Sequence, residues 1–207
     1  MLLYAITERR KLRSSLADFV ENAGRAGVDR VQIREKDLPD SALYEVVRDA
    51  IARTRTTQVR VLVNGRPDIA VAAQAQGVHL PSDSLSVSSV RKVTPPGFLV
   101  GVSCHKVDEV ERAASEGADF AVFGPVFDTP SKRGFGPPVG LSELERACTA
   151  VRMPVLALGG VTSANARLCI EAGAAGLAGI GLFQSARSLG GLVRDLKAMR
   201  KKDSVAE

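Results

Sequence analysis

The stretch "SEGADFAV" (115–122) has two counterparts elsewhere in the chain, "RAGVDRV" (25–31) and "EAGAAGLAG" (171–179). In each, a glycine stands where an amphipathic segment gives way to a short apolar run. Glycine accepts the left-handed conformation that commonly ends a helix, so each stretch reads as a helix end feeding a strand. The recurrence defines a strand–helix unit of about 25 residues, the kind of period that marks a fold built by repeating one supersecondary unit.

Working outward, eight runs have strand composition: "LLYAIT" (2–7), "DRVQIRE" (29–35), "RVLVNG" (60–65), "GVHL" (77–80), "FLVGVSC" (98–104), "DFAVFGPV" (119–126), "PVLALGG" (154–160) and "GLAGIGL" (176–182). Amphipathic segments such as "LADFVENAGRAG", "DSALYEVVRDAIARTR" and "KVDEVERAASEGAD" lie between them. Strands that are apolar through most of their length must be covered on both faces, as parallel strands under helices are. The pattern predicts an α/β fold, a single (β/α)₈ TIM barrel over 1–207, with strand 1 near 2–7, strand 8 near 176–182 and a flexible basic tail over 198–207. A doubly wound open sheet is the alternative, but the GxGxxG that usually follows its first strand is absent after "LLYAIT".

Composition narrows the function classes. The chain is 45% hydrophobic and 25% charged, as soluble globular domains are. Its three cysteines, Cys104, Cys148 and Cys169, form no CxxC or Cys/His pattern, so neither a disulfide framework nor a zinc site is expected. The opening "MLLYAITERRKLR" puts its charges after a short apolar run, the reverse of a signal peptide. A cytoplasmic protein without membrane partners is expected. The net charge is +5, but the cations are scattered apart from "MRKKD", and 4% aromatic residues with no Trp leave little for bases to stack on. The expectation is no nucleic acid, but a basic surface suited to small phosphorylated substrates. Oligomeric state is not legible.

In a barrel, chemistry sits where strands end and βα-loops begin. Alternation along strand 2 turns Gln32, Arg34 and Lys36 to one side, toward the barrel mouth. A strand-borne arginine needs an anion, either a neighbouring carboxylate or a ligand. Strand 3 offers Asn64, whereas Asp68 reads as a first-turn helix charge. His79 on strand 4 reads as an interior, hydrogen-bonded histidine, with a catalyst as the alternative. Strand 5 ends with Ser103 and His105 at alternate positions, a hydroxyl and an imidazole suited to binding or proton transfer. The glycines ending strands 7 and 8 make Gly159, Gly160, Ile180 and Gly181 candidates for backbone phosphate contacts. The loop "FGPVFDTPSKRGFGPP" (123–138) gathers Thr129, Ser131, Lys132 and Arg133 off the end of strand 6, again the chemistry of an anion site, on a loop that reads as a lid.

The motifs "VQIREKD", "VNGRPDIA", "GVHLPSDSL", "GVSCH", "FGPVFDTPSKRG" and "LALGGV" resemble, in order, those of the thiamine phosphate synthase superfamily, which includes the thiazole tautomerases. The resemblance runs from about Leu3 to Phe183. It implies a (β/α)₈ barrel in which Gln32, Arg34, Lys36, Asn64 and Ser103 face a pyrimidine and its diphosphate. Thr129, Ser131 and Lys132 would hold phosphate groups, and the glycines after strands 7 and 8 would cradle thiazole phosphate. Synthases join hydroxymethylpyrimidine diphosphate to thiazole phosphate and bind Mg2+ through carboxylates; here those two positions hold Gly65 and Ser84.

"NGR-x-DIA" followed by "LPS-x-S" resembles the tautomerase branch, which aromatises thiazole phosphate by proton transfer and needs no cofactor. That branch has a histidine where this chain has Pro125, which synthases carry. The expectation is therefore a tautomerase-like enzyme of thiamine biosynthesis, with His105 as a substitute proton carrier beside Ser103 and Lys36. The synthase is the first alternative and a non-catalytic phosphate-ligand binder the second. No metal is expected for the tautomerase.

Overall fold

A computed structural model describes residues 1–129 and 137–199. Its strands are β1 (Leu2–Ile6), β2 (Arg30–Ile33), β3 (Arg60–Asn64), β4 (Gly77–Leu80), β5 (Leu99–Cys104), β6 (Phe120–Phe123), β7 (Val155–Ala157) and β8 (Gly176–Gly179). All neighbours pair in parallel and in chain order, and β1 pairs with β8, which closes the sheet into a barrel and excludes the open-sheet alternative. The helices α1 (Leu16–Ala26), α2 (Asp40–Arg53), α3 (Pro67–Ala72), α4 (Val87–Arg91), α5 (Val107–Ser115), α6 (Gly140–Ala150) and α7 (Ala166–Glu171) alternate with the strands. After β8 come a single-turn helix, α8 (Gly181–Gln184), and α9 (Leu189–Ala198). The basic tail expected from 198 onward falls outside the described residues beyond Met199.

The repeated glycines do what their context requires: Gly27, Gly117 and Gly173 sit just past α1, α5 and α7 with φ of 89°, 88° and 94°. Residues that lead into β2, β4 and β6 supply a second device at the lower rim. Asp29 accepts a hydrogen bond from the Leu3 amide (2.8 Å), Gln76 from the Val61 amide (2.8 Å) and Asp119 from the Val100 amide (2.6 Å). The backbone N–H of each donates in return to the carbonyl of the same residue. The opening groups of β1, β3 and β5 are thus satisfied from the connection entering the next strand, as buried backbone requires.

Side chains alternate between two cores. Leu3, Ala5, Val61, Val63, Ala121 and Phe123 face outward under the helices. Tyr4, Ile6, Leu62, Phe120, Val122, Leu156 and Ala178 fill the barrel itself. At its centre Phe120 meets Tyr4 edge-on, centroids 5.3 Å apart, with the His79 ring at 6.0 Å and the Arg30 guanidinium 4.3 Å above its face. The space for this ring comes from β5, where a Cβ on Gly101 would lie 2.2 Å from Phe120 Cζ. Boxed by these neighbours, the ring cannot retreat. Gly101→Ala is expected to destabilise the fold by about 1–3 kcal/mol, the usual range for overpacking a filled core, read as a lower denaturant midpoint; an unchanged midpoint would show that the plug is loosely packed.

Candidate active site

The upper ends of the strands form a cup whose floor is the Tyr4–His79–Phe120 cluster. From β2, Gln32 is buried and its Nε2 donates to the Tyr4 hydroxyl at 3.2 Å. Arg34 is half-buried; its amide donates to Thr7 Oγ1 at 3.0 Å, and its guanidinium has no carboxylate within ion-pair reach among the described residues. Glu35 points the other way: its carboxylate accepts from the Thr7 hydroxyl (2.6 Å) and the Arg9 amide (3.0 and 3.1 Å), tying the β1–α1 loop to the β2–α2 loop. Lys36 departs from expectation. β2 ends at Ile33, so alternation no longer governs Lys36, which is exposed in the turn that follows.

Asn64, half-buried at the end of β3, stands in register with His79. Arg66 is held by Asp40 and Asp68, so these three charges engage one another at the rim. His79 Nε2 lies 2.9 Å from Ser103 Oγ, while its Nδ1 is buried without a partner. Burial, reinforced by the nearby Arg34 charge, pushes the His79 pKa down to about 3, so the ring is neutral. An orphaned acceptor is the tautomer we favour over an orphaned donor. Nε2–H then donates to Ser103, leaving the serine's own proton free for a ligand.

The partner of Ser103 comes from the neighbouring strand, since β4–β5 register sets His79 beside Gly101, one pleat below Ser103. His105 lies just beyond β5; its amide donates to Glu109 at 2.6 Å and its Nδ1 to the Gly124 carbonyl at 2.5 Å. A carbonyl only accepts, so Nδ1 carries a proton and Nε2 is the ring nitrogen left to face a ligand. Cys104, between them, faces the helices, and burial pushes its thiol up to about 12.

The remaining wall is backbone. After β6, Gly124 and Pro125 are joined by a cis peptide bond. The loop then runs beside the end of β7, Val126 N–H donating to the Leu158 carbonyl (2.8 Å) and Phe127 N–H to that of Gly159 (3.0 Å). A Cβ on Gly159 would lie 2.5 Å from Pro125 Cα, and one on Gly160 would lie 2.6 Å from the Asp128 carbonyl. The double glycine therefore lets two loops touch, a packing role that the sequence does not reveal. Asn165, unremarked in the sequence, fixes the turn: its Nδ2 donates to the Gly160 carbonyl (2.9 Å) and its Oδ1 accepts from Thr162 N–H (2.7 Å). The amides of Gly159, Gly160, Ile180 and Gly181 have no acceptor among the described residues, and nothing stands within 4 Å of where a Cβ on Gly181 would be. Thr129 is half-buried on the β6–α6 loop; Ser131, Lys132 and Arg133 lie outside the described residues.

The family model described as "Thiamine monophosphate synthase" matches residues 3–183. The chain belongs to this family. A thiamine-phosphate synthase of Roseiflexus castenholzii is 40% identical over 178 residues, covering 86% of this chain and 78% of that protein. One from Methanocella arvoryzae is 35% identical over 198 residues, 95% and 93% of the two chains. Among solved structures, thiamine phosphate pyrophosphorylase from Pyrococcus furiosus superimposes with a TM-score of 0.84 at 29% identity, covering 96% of this chain and 94% of its own. These relatives of a thiamine monophosphate synthase family member favour a synthase over the tautomerase expected from strands 3 and 4.

Magnesium, which a synthase of this family implies, does not fit the residues present. The two carboxylate positions hold Gly65 and Ser84, and the described residues contain no group of three or more His, Cys, Asp or Glu able to hold an ion. Mg2+ is usually anchored by one or two carboxylates beside the substrate phosphates; neither of the two positions supplies one, and the neighbouring Asp83 is exposed.

His79 gives the floor of the cup a pH signature. Its unfolded value of about 6.5 exceeds its folded value of about 3, so the unfolded chain binds the extra proton between them. The neutral ring's contribution is complete above the unfolded value and is lost as pH falls through that window. Between about pH 7 and about pH 4 this linkage amounts to ~3 kcal/mol. His79→Asn should flatten the pH dependence of the unfolding free energy by about that amount; parallel curves for the two proteins would contradict a buried neutral His79.

Proposed function

We propose that this protein is a thiamine-phosphate synthase, joining hydroxymethylpyrimidine diphosphate to thiazole phosphate with release of diphosphate. The observation that carries the reading is the level of identity to relatives named thiamine-phosphate synthase across most of their length. Pro125, the residue that synthases carry in place of the tautomerase histidine, supports it as well. In the proposed reaction the C–O bond between the pyrimidine methylene and the diphosphate breaks, its electron pair leaving with the diphosphate oxygen. The thiazole nitrogen then gives its lone pair to the methylene carbon.

The parts of the cup take distinct roles in this reading. Gln32, braced by the buried Tyr4 hydroxyl, orients the pyrimidine together with Asn64. Arg34 lies where the departing anion's charge needs stabilising, and Ser103, its oxygen engaged by His79, donates its proton to the same anion. Such fixed donors do most when aimed at charge that develops during the reaction. The unpaired amides of Gly159, Gly160, Ile180 and Gly181 hold the thiazole phosphate without side-chain charge, as loops after strands 7 and 8 of such barrels often do. Thr129, Ser131 and Lys132 belong to this grip by their motif, and Lys36 adds a peripheral cation.

A tautomerase remains the second reading because Gly65 and Ser84 stand where a synthase would have metal-binding carboxylates, and because the Gly124 carbonyl orients the His105 ring through Nδ1. Two assays separate the readings. Hydroxymethylpyrimidine diphosphate with thiazole phosphate should yield thiamine phosphate, and Arg34→Ala should lower that rate about 100-fold, the order of effect seen when one oriented transition-state donor is removed. The non-aromatic thiazole tautomer should be consumed no faster than in buffer. Turnover in the second assay only, abolished by His105→Asn, would replace the synthase with the tautomerase; turnover in neither, with phosphate ligands still bound, would leave a binder.

A further inference from the structure

Five carboxylates around the mouth are already engaged, whereas the exposed Asp83 and two cations, Lys36 and the half-buried Arg34, make no ion pair among the described residues. Glu35 is held by Thr7 and Arg9, Asp37 by Arg9 and Arg10, and Asp40 and Asp68 by Arg66. Glu109 accepts the His105 amide. Each of these arginines has its anion, whereas Arg34, half-buried on the rim and close enough to bias His79, has none among the described residues. A cation that is partly removed from water and left unpaired is poised for an anionic ligand.

On the adjacent β3 and β4 ends, positions 65 and 84 carry no charge. Gly65 has φ of 64°, and a Cβ there would meet nothing closer than Pro81 Cδ at 3.6 Å. Aspartate is among the few residues that accept such a backbone, so a carboxylate would fit, and none is present. Ser84 presents a hydroxyl on the rim of a cavity of about 150 Å³ that Glu109 and Glu116 also line, and those two carboxylates are held by the amides of His105 and Val87.

From these observations we propose that the mouth takes a phosphate or diphosphate as the bare anion, without a divalent cation, its charge met by Arg34 and by the unpaired amides of the β7 and β8 loops. The inference rests on reading the mouth as a phosphate site, which the synthase proposal shares, but not on the synthase reaction. It also fixes the sign of a salt effect. Magnesium complexed to pyrophosphate cancels part of the charge that Arg34 and the amides recognise, so the ion should compete with the protein for the ligand.

Calorimetric titration of the full chain with inorganic pyrophosphate, in EDTA and then in excess Mg2+, tests this. Binding is expected in EDTA and should weaken when Mg2+ is added. Arg34→Ala should weaken the EDTA-state affinity about tenfold or more, as loss of a hydrogen bond to a charged group does, with Arg34→Lys intermediate and both variants retaining the parent's circular dichroism. Tighter binding in Mg2+, above all if Asp83→Asn abolishes the gain, would overturn the proposal, and so would absence of binding in EDTA. Pyrophosphate bound in EDTA by a chain that forms no thiamine phosphate would uphold this inference while removing the synthase reading.

Discussion

Phe120 inside the barrel is the contact on which the rest depends. Eight parallel strands can close only if the space they enclose is filled, and at the centre of the side chains that fill this barrel one aromatic ring is laid over a glycine on the adjacent strand. Tyr4 and His79 pack around that ring, and Arg30 caps it from below. The hydroxyl of Tyr4 then holds Gln32, and the imidazole of His79 holds Ser103. Packing in the core thus becomes orientation at the mouth. The residues that would meet a ligand are fixed by side chains that never leave the interior.

Above this floor the site is built from unlike materials on its two sides. On one side a side-chain cation, Arg34, stands next to carboxylates that are all committed to bracing loops. On the other, two glycine-ended strands present amides, held open by the contact of Gly159 and Gly160 with the β6–α6 loop and by Asn165 on the Gly160 carbonyl. Both sides favour negative charge, and neither presents a pair of carboxylates. This arrangement suits phosphate esters and explains why the family relationship is plain while the metal chemistry associated with it has no counterpart in the donor set.

Much of the fold was legible because it is written in local signals: glycines that end helices, and apolar runs that need cover on both faces. Strand ends were overestimated. The runs 119–126, 154–160 and 176–182 stay apolar beyond the paired residues Phe120–Phe123, Val155–Ala157 and Gly176–Gly179, because the chain continues into loops that pack on the barrel top, and in β8 straight into α8. Side-chain direction was legible where alternation operates within the strand, as for Gln32, and one residue past its end at Arg34, whose charge reaches His79, but misleading three residues past it, at Lys36. The His79–Ser103 bond depends on register between two strands 24 residues apart, which no single-strand pattern encodes. Asn165 was passed over for the same reason: its work is done on backbone groups of a turn whose shape the sequence does not specify.

The central claim is that this member of the family keeps the anion grip while lacking the carboxylates for a metal. Crystals grown with pyrophosphate and manganese, measured at the manganese absorption edge, address it most directly. Diphosphate density is expected against Arg34 and the amides of Gly159, Gly160, Ile180 and Gly181, with no anomalous peak between anion and protein. An anomalous peak bridging the diphosphate to Asp83 or Ser84 would contradict it.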